Sequence, residues 1–224
     1  LQVQTGFGVF TSSAAFQTDG TSGIALPGQK TDADNDAIFI PHFYATYKIN
    51  DSWSIGFGEY TNFGLAMTWP ENWEGRYITG GVNAEVETIN LKPVIAYQPL
   101  KNLSIAVGAN LQRFEVTLQH KVVNANPYTT PPTIGQDLDA KLNGDSWNTG
   151  FNFAVLYEIN ECLQFGASYQ TSMKQEIEGS VKISGTHVIP TLQTLLIGSH
   201  AATAAVNLPP IFTAGLARTV VGTT

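Results

Sequence analysis

Apolar and polar residues alternate in short stretches along almost the whole chain, and the periodicity of amphipathic helices is nearly absent. A period of two is typical of a β-strand whose two faces meet different surroundings. The pattern predicts eight strands, which cover residues 2–12, 37–49, 53–65, 84–98, 102–120, 146–158, 162–183 and 203–219. We therefore expect an all-β fold.

The connections between the predicted strands alternate between short and long. The sequences INDS, QPLKN and INEC are tight turns. The long connections, which are rich in Gly, Pro, Thr and Asn, are residues 13–36, 66–83, 121–145 and 184–202. Short turns at one end and long loops at the other indicate an antiparallel up-and-down sheet, an arrangement typical of outer-membrane barrels.

The two faces of the predicted strands differ in chemistry. In strand 146–158 the odd positions include Trp147 and Phe151, while the even positions include Asn148 and Asn152. Two more strands have such an apolar face, formed by Trp53, Ile55, Phe57, Phe63 and Leu65, and by Leu163, Phe165, Ala167, Tyr169 and Met173. A soluble sandwich shows the same alternation. Aromatic residues at strand ends, and polar faces poor in Lys and Glu, favour a transmembrane β-barrel.

Composition excludes several other classes of protein. Charged residues make up 13% of the chain and the net charge is −7, whereas nucleic-acid binding needs clustered Lys and Arg. The single cysteine, Cys162, allows no internal disulfide. No apolar run approaches the roughly 18 residues of a transmembrane helix. Because Leu1 falls inside a predicted strand and no closing element follows the last one, we interpret the chain as part of a longer protein.

Two neighbouring strands exchange their faces part-way along. In strand 102–120 the apolar side chains move from the odd positions to the even ones, where they are Phe114, Val116 and Leu118. In strand 84–98, Glu85 and Glu87 take the odd face near the long loop and Val86 takes the even face. Because ~9–11 residues suffice to cross a membrane, the loop-side ends extend beyond it, and an apolar inner lining there predicts a ligand pocket. A β-bulge near residue 112 is the alternative explanation.

Several segments carry a specific resemblance to a known family. The runs NFGLAMTWPENWEGRY, TINLKPVIAYQPLKNLSIAVGANLQ, NTGFNFAVLYEI, GASYQTS and NLPPIFTAGLA occur in this order. They resemble the FadL-type outer-membrane transporters of long-chain fatty acids and hydrophobic hydrocarbons. The resemblance implies a fourteen-stranded barrel plugged by an N-terminal hatch. Residues 1–224 would form about eight of those strands, without the hatch or the C-terminal strands.

The resemblance also implies a lateral gate in the third strand, where family members kink inward and release ligand sideways into the membrane. The matching residues are Asn62, Phe63, Gly64 and Leu65. Glycine suits this place because it tolerates unusual backbone angles and leaves the opening free of a side chain. The aromatic residues expected at the membrane interface are Trp53, Trp69, Trp73 and Tyr77. Arg76 either ties down the loop or is a solvated charge.

Ligand contacts follow from the same resemblance. The loops 121–145 and 184–202 would form a hydrophobic landing groove that includes Leu192, Leu195 and Leu196, unless these leucines pack together. The apolar wall would be Val86, Phe114, Val116 and Leu118. His120 falls near the family's basic position, with Lys121 beside it, and either could pair with a carboxylate. Glu59 departs from expectation, because it stands on the lipid-facing side of its strand; it either lines the gap or marks a different register.

The expected function is passive uptake of long-chain fatty acids or other hydrophobic molecules, with aromatic-hydrocarbon or alkane uptake as the first alternative. A structural or adhesive barrel is the second, and its interior should be a polar network without the exchange of faces. An enzyme is not expected, because His42, His120, His187 and His200 lack metal-ligand spacing and no Gly-x-Ser-x-Gly sequence occurs. No cofactor or metal is implied. We expect a monomer in the outer membrane of a Gram-negative bacterium, in contact with lipid and lipopolysaccharide and not with nucleic acid.

Overall fold

A computed structural model describes residues 1–17 and 30–218 of the chain. Part of the predicted loop 13–36 and the last residue of the predicted strand 203–219 lie outside the described residues. The strands are β1 (Gln2–Phe10), β2 (Ala15–Gln17), β3 (Lys30–Asp32), β4 (Ile38–Lys48), β5 (Trp53–Tyr60), β6 (Gly64–Thr68), β7 (Asn83–Leu100), β8 (Leu103–Val122), β9 (Ala125–Asn126), β10 (Thr133–Ile134), β11 (Leu138–Asn160), β12 (Leu163–Gln170), β13 (Met173–Ser184), β14 (Gly198–Leu208) and β15 (Ile211–Arg218). A 3-10 turn spans Glu74–Tyr77, and the helix α1 spans Pro190–Leu196.

One antiparallel sheet contains all the long strands. Its order is β1-β4-β5-β7-β8-β11-β12-β15, with β6 paired to β7 and β13 paired to both β11 and β14. Neighbours in the sheet are therefore neighbours in sequence, as an up-and-down barrel requires. No helix in the described residues is long and apolar enough to cross a membrane. The predicted all-β antiparallel architecture is confirmed.

Three of the eight predicted strands are interrupted. The predicted strand 53–65 is divided into β5 and β6, and the predicted strand 162–183 into β12 and β13. Pro209 and Pro210 separate β14 from β15, because proline donates no hydrogen bond to a ladder. The strand β11, by contrast, is longer than predicted. It begins eight residues before the predicted start at 146, since Leu138 already pairs with Val122.

The outward and inward faces of the sheet follow the predicted alternation. On β11 the outward residues Trp147, Phe151 and Phe153 are exposed, whereas the inward Ser146 and Asn152 are buried. Met173 is the exception, because it was predicted on the apolar outward face and is instead 3% exposed on the inward face. The break between β12 and β13 adds one residue relative to β11, which reverses the faces from Met173 onward.

The exchange of faces in β7 and β8 does not arise from a bulge. Throughout β8 the register with β11 is constant, from Leu103 paired with Tyr157 to Val122 paired with Leu138. The alternative of a β-bulge near residue 112 is therefore wrong. The same backbone face carries amides nearer the short turns and apolar side chains nearer the long loops.

The inner wall consequently has two layers. The apolar layer is a cluster of Phe114, Ile177 and Leu208, each less than a tenth exposed, with Phe63, Val86 and Val116 packed against it. Beneath it lies a chain of buried amides, which we call the amide layer. Gln175 Nε2 donates to Gln112 Oε1 at 2.7 Å, Gln112 Nε2 donates to Asn90 Oδ1 at 2.8 Å, and Ser146 Oγ donates to Gln175 Oε1 at 2.9 Å.

We predict that Gln112→Leu destabilises the barrel. Gln112 is fully buried; its loss removes one donor from Asn90 Oδ1 and leaves Gln175 Nε2 without its acceptor, at a cost of about 1–3 kcal/mol. The measurement is the free energy of unfolding of the full-length protein, by urea titration in lipid vesicles. Gln164→Leu, at an exposed position near a short turn, is the matched control, and an equal loss of stability in both variants would contradict the prediction.

Candidate functional site

The third strand of the barrel is interrupted between β5 and β6, although both halves pair with β7. Tyr60 pairs with Asn90 and Gly64 pairs with Glu87. Three residues, 61–63, therefore face only two, 88–89, so β6 resumes with its faces reversed relative to β5. The interruption ends at Gly64, inside the segment that the sequence predicted as a lateral gate.

Two side chains of β7 replace the missing ladder at the interruption. Thr88 Oγ1 accepts from the Phe63 N–H at 3.1 Å and donates to the Phe63 carbonyl oxygen at 2.6 Å. Asn90 Nδ2 donates to the Tyr60 carbonyl oxygen at 3.1 Å. Thr88 and Asn90 are fully buried. Because buried backbone groups need partners, these two residues stabilise the break by satisfying three of its backbone groups.

The reversal moves the side chains after the interruption to the inside. Phe63 packs against the cluster around Phe114, and Leu65 pairs with the inward-facing Val86. The prediction that Phe63 and Leu65 continue the outward apolar face of Trp53 is therefore wrong, since the extra residue changes the phase of the alternation. As a result, a predicted gate residue and three predicted pocket residues, Val86, Phe114 and Val116, lie in one apolar cluster.

A window opens beside β6. The pairing of β4 with β5 begins at Phe43 and Glu59, so Ile38–His42 has no ladder partner on that side within the described residues. At the loop end the window is closed by Asn35, whose Oδ1 accepts from the Thr68 N–H at 2.8 Å. Pro41 lies in this stretch, and proline suits a strand edge because it donates no hydrogen bond to a ladder.

A cavity of about 370 Å³ occupies this window. Its lining includes Ile40 from β4, Gly64 and Leu65 from β6, and residues from both faces of β7, namely the inward Val86 and the outward Ile89. The cavity is therefore bordered by residues from both faces of β7. Most of its lining is apolar, which suits a hydrocarbon chain, and three glutamates also border it.

Gly64 does not use the conformational freedom of glycine. Among described residues, positive φ occurs only at Gly80, Gly185 and Gly198, and a Cβ at Gly64 would lie at an ordinary 3.6 Å from the Val86 carbonyl oxygen. The backbone angles at Gly64 therefore do not call for glycine. What remains is the absence of a side chain beside the window.

Glu59 lies at the short-turn end of the window and lines the cavity. Its register is regular, since Glu59 pairs with Phe43 on one side and with Leu91 on the other. Of the two explanations for this outward-facing carboxylate, a shifted register is thus wrong. Glu59 borders the gap.

The loop after β6 is held together by its aromatic residues. Trp73 is 7% exposed; its ring stacks on Trp69 with centroids 4.3 Å apart, and its indole N–H donates to the Gly81 carbonyl oxygen. Such burial leaves little of the Trp73 ring for a membrane interface. Trp53, by contrast, is 40% exposed at a short turn and packs on Tyr97. The interfacial roles of Trp53 and Trp69 stay predictions.

Arg76 and Tyr77 tie this loop to the segment before β11. Arg76 Nε donates to Asp137 Oδ2 at 3.0 Å, and Tyr77 OH donates to the same oxygen at 2.9 Å. Arg76 therefore ties down the loop and is not a free solvated charge. Burial raises the pKa of the Tyr77 phenol, and the hydrogen bond and negative charge of Asp137 raise it further. Tyr77 therefore remains a hydrogen-bond donor at neutral pH.

Asn124 joins the two loops that were predicted to capture ligand. It is 1% exposed, its Nδ2 donates to the carbonyl oxygens of Gln136 and Thr186, and its Oδ1 accepts from the Val188 N–H at 2.9 Å. The sequence offered no periodic signal for this residue, because both loops lack regular structure around it. The two loops therefore form one connected surface.

The predicted landing-groove leucines lie on the short helix α1. Leu195 is 65% exposed, whereas Leu192 and Leu196 are half-buried. Packing thus accounts for two of the three, and Leu195 presents its side chain to the outside. Leu118, two residues from Val116 on the inward face, extends the apolar wall toward this loop surface.

His120 and Lys121 point to opposite faces of β8, since neighbouring strand residues alternate. Lys121 Nζ lies 2.6 Å from Asp139 Oδ1 and 2.8 Å from Glu71 Oε2. Two carboxylates therefore already neutralise Lys121, which leaves it less available to a ligand carboxylate, and its assignment stays a prediction. His120 stays on the inward face beside Ala140, with its Nδ1 buried and unpartnered within the described residues.

Comparison with known proteins was made by sequence and by structure. The family described as outer membrane protein transport protein (OMPP1/FadL/TodX) matches residues 2–220. A long-chain fatty acid transport protein of Salmonella typhi is 30% identical over 168 residues, which is 69% of this chain and 38% of the relative. Outer membrane protein P1 of Haemophilus influenzae is 26% identical over 189 residues, 74% of this chain and 41% of the relative. The chain thus spans less than half the length of either protein.

Solved structures share the fold. A Pseudomonas aeruginosa FadL homologue gives a TM-score of 0.69 at 16% identity, covering 97% of this chain and 55% of that one. The toluene transporter TbuX of Ralstonia pickettii gives 0.59 at 13% identity, covering 97% of this chain and 57% of that one. At these identities the likeness establishes the outer-membrane β-barrel fold alone.

We predict that Thr88→Val destabilises the interruption, because valine keeps the shape of threonine and removes both hydrogen bonds to Phe63. The expected loss is about 1–3 kcal/mol in the free energy of unfolding, with faster hydrogen exchange at the Phe63 amide. Thr88→Ser retains the hydroxyl and is the control. Unchanged exchange at Phe63 in the valine variant would contradict the role assigned to Thr88.

Proposed function

The chain belongs to the outer membrane protein transport family that includes FadL and TodX, and from this membership we propose that it takes up hydrophobic molecules passively. It is located in the outer membrane of a Gram-negative bacterium. In the proposed path, ligand is captured at the joined outer loops, enters the apolar cluster on the inner wall, and leaves sideways through the window beside β6. The proposal requires no cofactor.

The observation that carries the proposal is the position of Phe63. This residue belongs to the interruption beside the window, and it also packs against Phe114 and Val86 in the apolar cluster. The cluster and the 370 Å³ cavity share Val86 as well. A hydrocarbon chain in the cluster would therefore adjoin the window, which favours lateral release over passage through the lumen.

Long-chain fatty acids are the proposed substrates, and aromatic or alkane hydrocarbons are the second candidate. The sequence relatives include proteins named for fatty-acid transport, and the structural relatives include toluene transporters. The apolar cluster contains no charged side chain and would accept either class. Selection between them therefore depends on what receives the carboxylate.

A structural or adhesive barrel accounts for the amide layer but not for the apolar layer above it. An inner wall that only needed rigidity would not require Phe114, Ile177 and Leu208 to be grouped near a gap in the sheet. We further propose that the outward apolar face contacts lipid and lipopolysaccharide, that the protein acts as a monomer, and that it carries out no catalysis.

We predict that Gly64→Trp slows uptake several-fold while leaving the fold intact. Gly64 lines the window, and an indole there would fill much of the 370 Å³ cavity. The measurement is uptake of radiolabelled oleate by cells that carry the full-length protein. Gly64→Ala is the matched control, because its Cβ makes only ordinary contacts. Normal uptake by the tryptophan variant at equal abundance in the outer membrane would refute the exit route.

We predict that the detergent-purified full-length protein binds labelled oleate, and that a long alkane competes better than toluene. A long chain buries more apolar area in the cluster than a single ring, at about 25 cal/mol per Å². Equilibrium binding with each competitor is the measurement. Strong toluene competition without oleate binding would keep the barrel and the path, and would transfer the function to hydrocarbon uptake.

A further inference from the structure

Lys92 is an isolated positive charge on the inner wall. The chain has 11 lysine and arginine residues. Within the described residues, Lys92 is the one that projects inward between the ends of the long strands. Arg113, Lys121 and Lys174 project outward and each pairs with a carboxylate, and Lys141 and Lys182 oppose each other on the outward face.

The surroundings of Lys92 are neutral. Its Nζ donates to Gln170 Oε1 at 3.2 Å and lies 4.9 Å from the centroid of the Tyr60 ring. No carboxylate forms an ion pair with it in residues 1–17 and 30–218. A partly buried ammonium group is costly without a counter-ion, and an amide oxygen with a π-face compensates only in part.

A second cavity lies in front of Lys92. It measures about 480 Å³ and is lined by Tyr44, Tyr60, Asn62, Asn152 and Gln170, among others. Asn152 is 9% exposed, and its Oδ1 has no hydrogen-bond partner within the described structure. Rotation of this amide presents its N–H donors in place of the oxygen. The cavity thus holds one fixed cation and an uncommitted amide, which are groups that bind a carboxylate.

The two cavities adjoin at the interruption of the third strand. Asn62 lines the cavity at Lys92 and also the apolar cavity in the window. Lys92 pairs with Gly58, two residues before Tyr60, where the strand breaks. A molecule with an anionic head and a hydrocarbon tail could therefore place its head at Lys92 and its tail among Ile40 and Leu65.

Lys92 lies far from the loop end of the inner wall, where His120 is located. Leu91, the neighbour of Lys92, pairs with Leu111, nine residues before His120 on the same strand. At about 3.3 Å per residue, Lys92 lies roughly 30 Å along the wall from His120. His120 could meet a ligand near entry, whereas Lys92 lies beside the exit.

We propose that Lys92 binds the carboxylate of a long-chain monocarboxylate ligand at the lateral window. This inference rests on the proposed function, and it adds the group that distinguishes an acid from a hydrocarbon. Lys92 and Asn152 receive the head while the tail already occupies the opening in the wall. A hydrocarbon without a carboxylate gains nothing from the site.

The test compares oleate with oleyl alcohol, which has the same chain and no charge, in the full-length purified protein. Lys92→Met is expected to weaken oleate binding about 10-fold to 100-fold, as the loss of one charge-assisted hydrogen bond implies, and to leave oleyl alcohol binding unchanged. Lys92→Arg retains the charge and should retain most of the preference for oleate. Lys141→Met, which removes an exposed outward lysine, is the matched control.

The possible outcomes separate the two proposals. An equal effect of Lys92→Met on both ligands, or no effect on either, would overturn the carboxylate site while leaving hydrophobic uptake in place. A fall in thermal stability with an unchanged preference for oleate would also overturn it, because Lys92 would then pair with another part of the protein. If the unmodified protein binds neither ligand, the proposed function fails, and the Lys92 site fails with it.

Discussion

The wall of a membrane barrel can open only where its backbone groups find other partners. In hydrocarbon, an unpaired N–H or C=O group costs several kcal/mol, so a simple gap between strands is not stable. Here the hydroxyl of Thr88 serves both polar groups of Phe63, and the Asn90 amide serves the Tyr60 carbonyl oxygen. These three hydrogen bonds lower the cost of the interruption in a membrane, and the window lies beside it.

The same interruption sets the chemistry of the inner wall. One extra residue in the third strand turns Phe63 inward, where it meets side chains of β7 and β8 that face inward through sequence alone. In the third strand an extra residue reverses the faces of the backbone. In β7 and β8 the register is constant at this point, and the sequence itself places apolar residues on the other face. Asn90 then links the interruption to Gln112 and Gln175, so the amide layer supports the break from below while the apolar layer covers it from above.

Sequence periodicity predicted the sheet well because each long strand has two chemically different faces. It failed where a strand breaks. In the sequence, Phe63, Leu65 and Met173 keep the spacing of an outward face, but one added residue at each break turns them inward. The pocket residues Val86, Phe114 and Val116 were predictable because the register of β7 with β8 is constant around them. Thr88, Asn90 and Asn124 were not, because their importance lies in hydrogen bonds to backbone groups distant in sequence.

Which charged side chains face the inner wall also depends on strand geometry and not on a sequence motif. His120 and Lys121 adjoin in sequence, yet alternation sends them to opposite faces, and Glu71 and Asp139 hold the lysine. The inward cation is instead Lys92, in a part of β7 that no sequence motif marks. In the proposed site, Lys92 meets the carboxylate while the tail lies in the window. Selectivity in such a wall would therefore reside at release as well as at capture, because an apolar cluster alone cannot distinguish one hydrocarbon chain from another.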